Sequence, residues 1–228
     1  MRRMMLVVAA LAAVPAAADA QDEKLAPATR RELQRAANDM KQIGLAFHNY
    51  YDTMGRFPAD ITDKNGKALL SWRVAILPFI EQDQLYRQFK LNEPWDSANN
   101  KPLAAKIPAL YAPIRVKAKE GETFVQTVTG PGTLFDGKKW GFPNITDGTS
   151  NTGIVFHAAE GVVWTKPADM VLDPKKALKL GGMFDGESMV VMCDGSVRTL
   201  KKNPDAAELL KLINPADGNV VDFKKLDK

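Results

Sequence analysis

Residues 38–58 read N-D-M-K-Q-I-G-L-A-F-H-N-Y-Y-D-T-M-G-R-F-P, and their periodicity decides the fold. Extended upstream, the pattern places Leu33, Ala36, Ala37, Met40, Ile43, Gly44, Phe47, Tyr50, Tyr51 and Met54 at the three-and-four spacing of one helical face. Lys and Asp residues fill the opposite face. Thr29, followed three residues later by Glu32, forms a capping-box pattern in which each side chain satisfies a free backbone N–H. Gly55 terminates the periodic run and Pro58 bars its resumption. A long amphipathic helix from Thr29 to Met54 is expected, with Phe47 and Tyr51 turned toward a sheet.

Ahead of this helix the chain has the three parts of a secretory signal. Arg2 and Arg3 precede an apolar run from Leu6 to Ala18, broken only by Pro15, and Ala18-Asp19-Ala20 fits the small-x-small pattern for cleavage before Gln21. The run is shorter than the roughly 20 residues that span a bilayer. The expectation is a cleaved signal over 1–20, a secreted or periplasmic product, and no stable transmembrane anchor after cleavage. The single cysteine, Cys193, leaves no lipobox cysteine at that site. Residues 21–28 read as a mobile polar leader, 29–213 as one domain and 214–228 as a polar C-terminal tail.

Lys and Arg number 31 against 27 Asp and Glu, a formal charge of +4 that becomes +3 once the two Arg and one Asp of residues 1–20 are removed. That mild excess is scattered among acids, which is a solvated surface and not a nucleic-acid footprint. One cysteine excludes an internal disulfide, and a chain of this length buries a sizeable core without one.

Beyond the first helix, Leu69 to Phe89 reads as a second helical region that Pro78 must break or kink. Lys101 to Ala109 reads as a short helix. Glu122 to Thr129, rich in Thr and Val, reads as a strand, as do Asn151 to Ala158 and Gly161 to Trp164. Ser188 to Cys193 and Ser196 to Leu200 flank Asp194-Gly195, a hairpin signal. Asn203-Pro204 opens a last helix through Ile213. Helices first and strands later imply an α+β fold.

Six segments together carry a family resemblance. They are Leu45 to Pro58 (L-A-F-H-N-Y-Y-D-T-M-G-R-F-P), Leu70 to Gln82 (L-S-W-R-V-A-I-L-P-F-I-E-Q), Asn92 to Asn99 (N-E-P-W-D-S-A-N), Asn144 to Thr152 (N-I-T-D-G-T-S-N-T), Trp164 to Asp169 (W-T-K-P-A-D) and Met192 to Leu200 (M-C-D-G-S-V-R-T-L). In this order they resemble the domain of unknown function 1559 family, whose end carries a His-x9-Asp-Gly signature. The resemblance implies a pseudopilin-like fold, a long N-terminal helix packed on an antiparallel β-sheet with additional short helices. It implies no established biochemical activity. Phe184 stands ten residues before Asp194 where the signature has His, and Ala112 takes the Cys place in Tyr111-Ala112-Pro113. A secretory signal stands where family members carry a hydrophobic stalk, so assembly through stalk packing is not implied.

Two histidines, His48 and His157, and Cys193 do not make a usual zinc set without carboxylates. His48 reads as a structural histidine and Cys193 as a small core hydrophobe. Neither a Gly-x-Ser-x-Gly elbow, nor a Walker loop, nor His-Glu-x-x-His is present. The dense polar segment 144–152 is a calcium candidate through Asp147 and Asn151, with Glu160 as the additional carboxylate. It lacks the ordered acidic spacing of an EF-hand, and Asx-turn chemistry needs the same residue types. No other cofactor is expected. Asp136, Asp147, Asp185, Asp194 and Asp217 each precede Gly and read as turn devices, not as an acid/base pair. Trp72 and Trp164 lie in apolar settings and read as core, whereas Trp95 and Trp140 lie in turn-rich segments and are the ligand-binding candidates. The expected function is a non-enzymatic interaction domain of the cell envelope or extracellular space, with a protein or glycan partner. The alternative is a soluble carbohydrate- or peptide-binding module using Trp95, Trp140 and the Asp147 loop. A secreted hydrolase ranks lower, because no nucleophile–base pair can be named.

Overall fold

The capping box at Thr29 forms as its spacing requires: the Glu32 carboxylate accepts the Thr29 N–H at 2.7 Å, and the Thr29 hydroxyl accepts the Glu32 N–H at 3.2 Å. In the computed structural model, which describes residues 27–173 and 175–228, helix α1 runs Arg30–Met54. It ends on Gly55, whose φ of 67° suits a residue without a Cβ and whose N–H bonds the Tyr51 carbonyl at 2.7 Å. The expected signal over 1–20, and the leader up to residue 26, lie outside the described residues.

After α1 come the short antiparallel strands β1 (Ile61–Thr62) and β2 (Ala68–Leu70), then the one-turn helices α2 (Trp72–Ala75) and α3 (Asp83–Tyr86). Strands β3 (Glu122–Gln126), β4 (Val128–Thr129), β5 (Gly153–Val163), β6 (Met170–Val171), β7 (Ser188–Met192) and β8 (Val197–Leu200) follow, and helix α4 (Ala206–Ile213) comes after them. Four of the strands make an antiparallel sheet in the order β3-β5-β7-β8, while β4 and β6 pair in parallel beside it. The fold is α+β, with α1 packed against β7.

Two apolar layers cover this sheet. Met189, Val191 and Cys193 face the core that contains Met40, Ile43 and Phe47 of α1. Val190 and Met192 face the other way, toward Leu209, Leu212 and Ile213 of α4. Coverage on both faces explains why β7 is an unbroken buried run and not an alternating one. Residues 214–228, polar in composition, dock on this second layer: Val221 and Leu226 are buried, and Glu208 accepts the Asp222 N–H at 2.9 Å.

Several local expectations change in the folded chain. Leu69 and Leu70 belong to β2 and not to a helix, because Ser71 caps α2 by accepting the Arg73 N–H and so starts the helix after them. Pro78 sits at the start of a 3-10 turn, Leu77–Ile80, where its missing N–H costs nothing. The two strands expected around Gly161 are one, β5. The last helix is capped by Asp205, not Asn203, through bonds from the Ala207 and Glu208 N–H groups. Phe47 is buried edge-on against Trp72, with ring centroids 5.2 Å apart, whereas Tyr51 is half-buried against Phe57 and Phe142. Met54 is exposed. No helix among the described residues is long and apolar enough to cross a membrane.

Gly44 sets how closely α1 approaches the sheet. A Cβ built there would lie 2.8 Å from Val191 Cγ1. Gly44→Ala is expected to destabilise the fold by ~1–3 kcal/mol through overpacking, and the double variant with Val191→Ala should lose less than the sum of the two single losses. Urea denaturation of the single and double variants checks this; additive losses would show that the two positions do not share one contact.

Candidate functional site

The exit from α1 builds one wall of a cleft. The Phe57 N–H bonds the Trp140 carbonyl at 3.0 Å, and Phe142 packs on His48, Tyr51 and Phe57 with centroids 4.6, 4.7 and 5.0 Å away. These contacts seat the 134–142 segment against residues 56–62. Between them opens a hollow of about 460 Å³. Trp140 and Phe135 form its apolar side, Asp60, Thr127 and Asp169 its floor, and Arg56 and Lys139 part of its rim.

The floor rests on a buried ion pair. Arg73 on α2 is fully buried and its guanidinium meets Asp169 Oδ1 at 2.7 Å. Its other N–H groups go to the Val125 carbonyl at 2.7 Å and the Ser71 hydroxyl at 2.6 Å. Asp169 Oδ1 also accepts the Thr127 N–H at 2.7 Å and the Trp72 indole N–H at 3.2 Å. Burial pushes the Asp169 carboxyl upward, against the pull of Arg73 and these donors.

Asp60 differs. Its Oδ1 accepts the Trp72 backbone N–H at 2.9 Å, as a second acceptor at the start of α2, and its other oxygen has no partner among the described residues. Burial, and then the nearby Asp169 charge, push its carboxyl up to about 6. The Thr127 hydroxyl is buried and has no partner in hydrogen-bond geometry, although it lies near enough to Asp169 to favour that carboxylate. Trp140 is half-buried, with its indole N–H given to Asp136 at 2.9 Å. Lys138 pairs with the same carboxylate at 3.0 Å, whereas Arg56 and Lys139 form no ion pair with the described residues.

Residues 28–139 match the family described as Protein of unknown function (DUF1559). Over that segment the chain belongs to this family. The match takes in the motifs at 45–58, 70–82 and 92–99, while those at 144–152, 164–169 and 192–200 lie beyond it. Most of the cleft in this DUF1559 chain, including Asp60, Thr127 and Phe135, lies within the matched segment, as does Arg73 beneath it; Trp140 and Asp169 do not. No curated protein and no solved structure matches the chain.

The candidates named from sequence are dispersed. Trp140 lines the cleft, but Trp95 does not: its backbone N–H bonds the Leu69 carbonyl at 2.8 Å and the Lys166 ammonium lies 5.4 Å from its ring centroid. Asp147 spends both carboxylate oxygens on the Asp217 and Gly218 N–H groups, at 2.7 and 2.8 Å, and so staples the 144–152 loop to the C-terminal segment. Asn151 donates to the Asp147 carbonyl at 2.9 Å, and Glu160 pairs with Lys179 at 2.9 Å. Among the described residues no group of three or more His, Cys, Asp or Glu is gathered that could hold a metal ion.

Trp72 and Trp164 are core, as expected. Burial, with the Asp194 charge added, pushes the Cys193 thiol upward. His157 is buried beside Phe184, and burial pushes its imidazole down to about 4. A larger hollow, about 650 Å³, lies beside residues 175–180. Its Lys176, Lys179 and Lys202 are paired with Asp173, Glu160 and Asp185, its Lys175 forms no ion pair with the described residues, and no described residue of its lining has an unpartnered buried polar side-chain atom.

Sequence reading missed Asp60, Arg73, Thr127 and Asp169. The available signal was an Arg inside the apolar L-S-W-R-V-A-I-L run and an Asp ending W-T-K-P-A-D, two charges in settings that a core absorbs only as a pair. Asp169→Ala is expected to cost ~3–5 kcal/mol, because it leaves the Arg73 charge buried and unpaired. A loss under about 1 kcal/mol in urea denaturation would show that Arg73 finds compensation elsewhere.

Asp60 and His157 also give a pH test. The folded Asp60 keeps its proton above its ordinary value of 3.8, so its contribution to stability is full below that pH and lost as pH rises through about 6. His157 acts oppositely: its contribution is present above 6.5 and lost as pH falls through about 4. The two slopes oppose one another in the wild type, and the difference from an Asp60 variant isolates the carboxyl. The stability of wild type minus that of Asp60→Asn should therefore fall by about 1–3 kcal/mol between pH 4 and 6.5, the lower end allowing for solvent exposure of Asp60. Parallel profiles would assign Asp60 an ordinary carboxyl.

Proposed function

We propose that this DUF1559 chain is a non-enzymatic binding module of the cell envelope or extracellular space, built on a pseudopilin-like scaffold. Its ligand, a partner protein or a glycan, is taken in the cleft beside Trp140. The observation that carries this reading is the cleft itself: an apolar side from Trp140 and Phe135, and a floor where a half-open carboxylate and an unpartnered hydroxyl sit over a locked ion pair. A concave apolar site with a few polar groups held by their neighbours is the usual form of a ligand pocket. Arg73 and Asp169 Oδ1 are held by one another, by backbone groups, by the Ser71 hydroxyl and by the Trp72 indole, which suits a rigid binding floor. The apolar run before Gln21 supports export.

A secreted hydrolase is the second reading, favoured by one observation, the raised carboxyl of Asp60 next to Asp169. Asp169 is held by three donors and serves the fold, so Asp60 would act without a second free carboxylate.

Glycan and peptide arrays probed with the purified protein test the binding reading. Binding on either array that drops at least 10-fold in Trp140→Ala, with the variant still unfolding cooperatively, is the expected result. No binding on either array, or binding indifferent to Trp140→Ala, would overturn it. Turnover of an array sugar that is abolished by Asp60→Asn would establish the hydrolase instead.

A further inference from the structure

The cleft makes three demands on whatever fills it. Its apolar side is a half-buried indole whose only N–H is already given to Asp136, together with Phe135. That side offers ring faces and C–H edges, and asks for a flat, apolar ligand face. On the floor, one oxygen of Asp60 has no partner among the described residues, and the buried Thr127 hydroxyl is in hydrogen-bond geometry with none of them. A carboxyl that is protonated for part of the time both donates and accepts, and so does a threonine hydroxyl. The complementary group is a hydroxyl, which also does both; an ammonium only donates. On the rim, Arg56 and Lys139 are exposed cations without an ion-pair partner among the described residues. The floor beneath them is half neutralised, because the Asp169 charge is matched by Arg73 at 2.7 Å. The rim therefore favours an anion at the mouth.

A ring with an apolar face, adjacent hydroxyls and one negative substituent meets all three demands. We propose that the cleft binds a hexuronic-acid residue of an acidic glycan, stacked on Trp140, with its hydroxyls on Asp60 and Thr127 and its carboxylate toward Arg56 and Lys139. This inference rests on the reading of the cleft as a ligand site. A volume of about 460 Å³ lies within the range of small-molecule sites and takes a short saccharide, not a folded partner. The rim cations are exposed, so the acidic preference is screened by salt, while stacking on Trp140 is not. Asp60 sets a second dependence. Its carboxyl is faced by Asp169 and Arg73 from below and by Arg56, Lys138 and Lys139 at the rim, and its proton is lost as pH rises through about 6.

The test is calorimetric titration of the purified protein with a trigalacturonate, a neutral trisaccharide of the same ring type, and adenosine monophosphate. The nucleotide carries a flat ring, hydroxyls and an anion without being a uronate. Trigalacturonate is expected to bind at least 10-fold more tightly than the neutral sugar and than the nucleotide. Trp140→Ala should weaken it at least 10-fold. Arg56→Gln combined with Lys139→Gln should abolish the acidic preference and leave neutral-sugar affinity within 2-fold. Preference for the neutral sugar or the nucleotide, or an acidic preference that survives loss of both cations, overturns the uronate assignment. If a Trp140-dependent peptide binds and no sugar does, the uronate assignment fails and the cleft remains the binding site. If none of these probes nor any array ligand depends on Trp140, both fail.

Discussion

The Arg73–Asp169 pair is the contact on which the rest of the molecule around the cleft depends. Every arm of the guanidinium is engaged: Nε with the Val125 carbonyl on β3, one terminal nitrogen with Ser71, the other with Asp169 and the Ala168 carbonyl. A charge removed from water must be paired and its remaining hydrogen bonds satisfied, or it costs several kcal/mol. Satisfying this one brings the start of α2, the end of β3 and the segment before β6 to a single point. The Tyr111 hydroxyl adds a bond to the Arg73 carbonyl at 3.1 Å, so residues nearly 40 positions apart are drawn in too.

The same pair divides the labour between two aspartates. Asp169 is closed in by Arg73, Trp72 and the Thr127 N–H and serves the fold. Asp60 sits next to it with a single donor from Trp72 and an open side. Two carboxylates near one another cannot both ionise cheaply, and the one with the cation keeps its charge more readily. Asp60 is left as the adaptable group on the floor. Trp140 is prepared from a different direction: its N–H is held by Asp136, a carboxyl that burial would raise but that the indole and Lys138 hold below the usual range. The indole is thus oriented before any ligand arrives, which lowers the ordering cost of binding.

Local signals in the chain translated well where their physics is local. The capping box, the Gly55 terminator and the Asp194-Gly195 hairpin depend on residues within a few positions, and each forms as read. The Glu122 to Thr129 strand shows where such reading stops. It splits at Thr127 into β3 and β4 because the Thr127 N–H goes to Asp169, not to a ladder partner, and nothing near residue 127 announces that. Gly44 was legible as a member of the helical face, but its role as the close-approach point for Val191 needs the sheet to be in place. The Asp147 segment reads in sequence as a calcium candidate or an Asx-type turn. Its carboxylate instead bonds backbone 70 residues downstream, a partner that no local pattern names.

By itself the sequence determined the long first helix and its two ends, the α+β class, the terminal hairpin and the family. These follow from periodicity, capping and turn chemistry, which act over one or two turns of chain. Only the tertiary structure decided which polar residues belong to a site. Asp60, Thr127, Trp140 and Asp169 come from four separate segments, and they meet because a buried guanidinium needs a carboxylate and a helix start needs acceptors. Trp95 and Trp140 looked alike in composition and context. Packing gave one a lysine over its ring and the other a cleft, and that difference arises only when the chain has closed on itself.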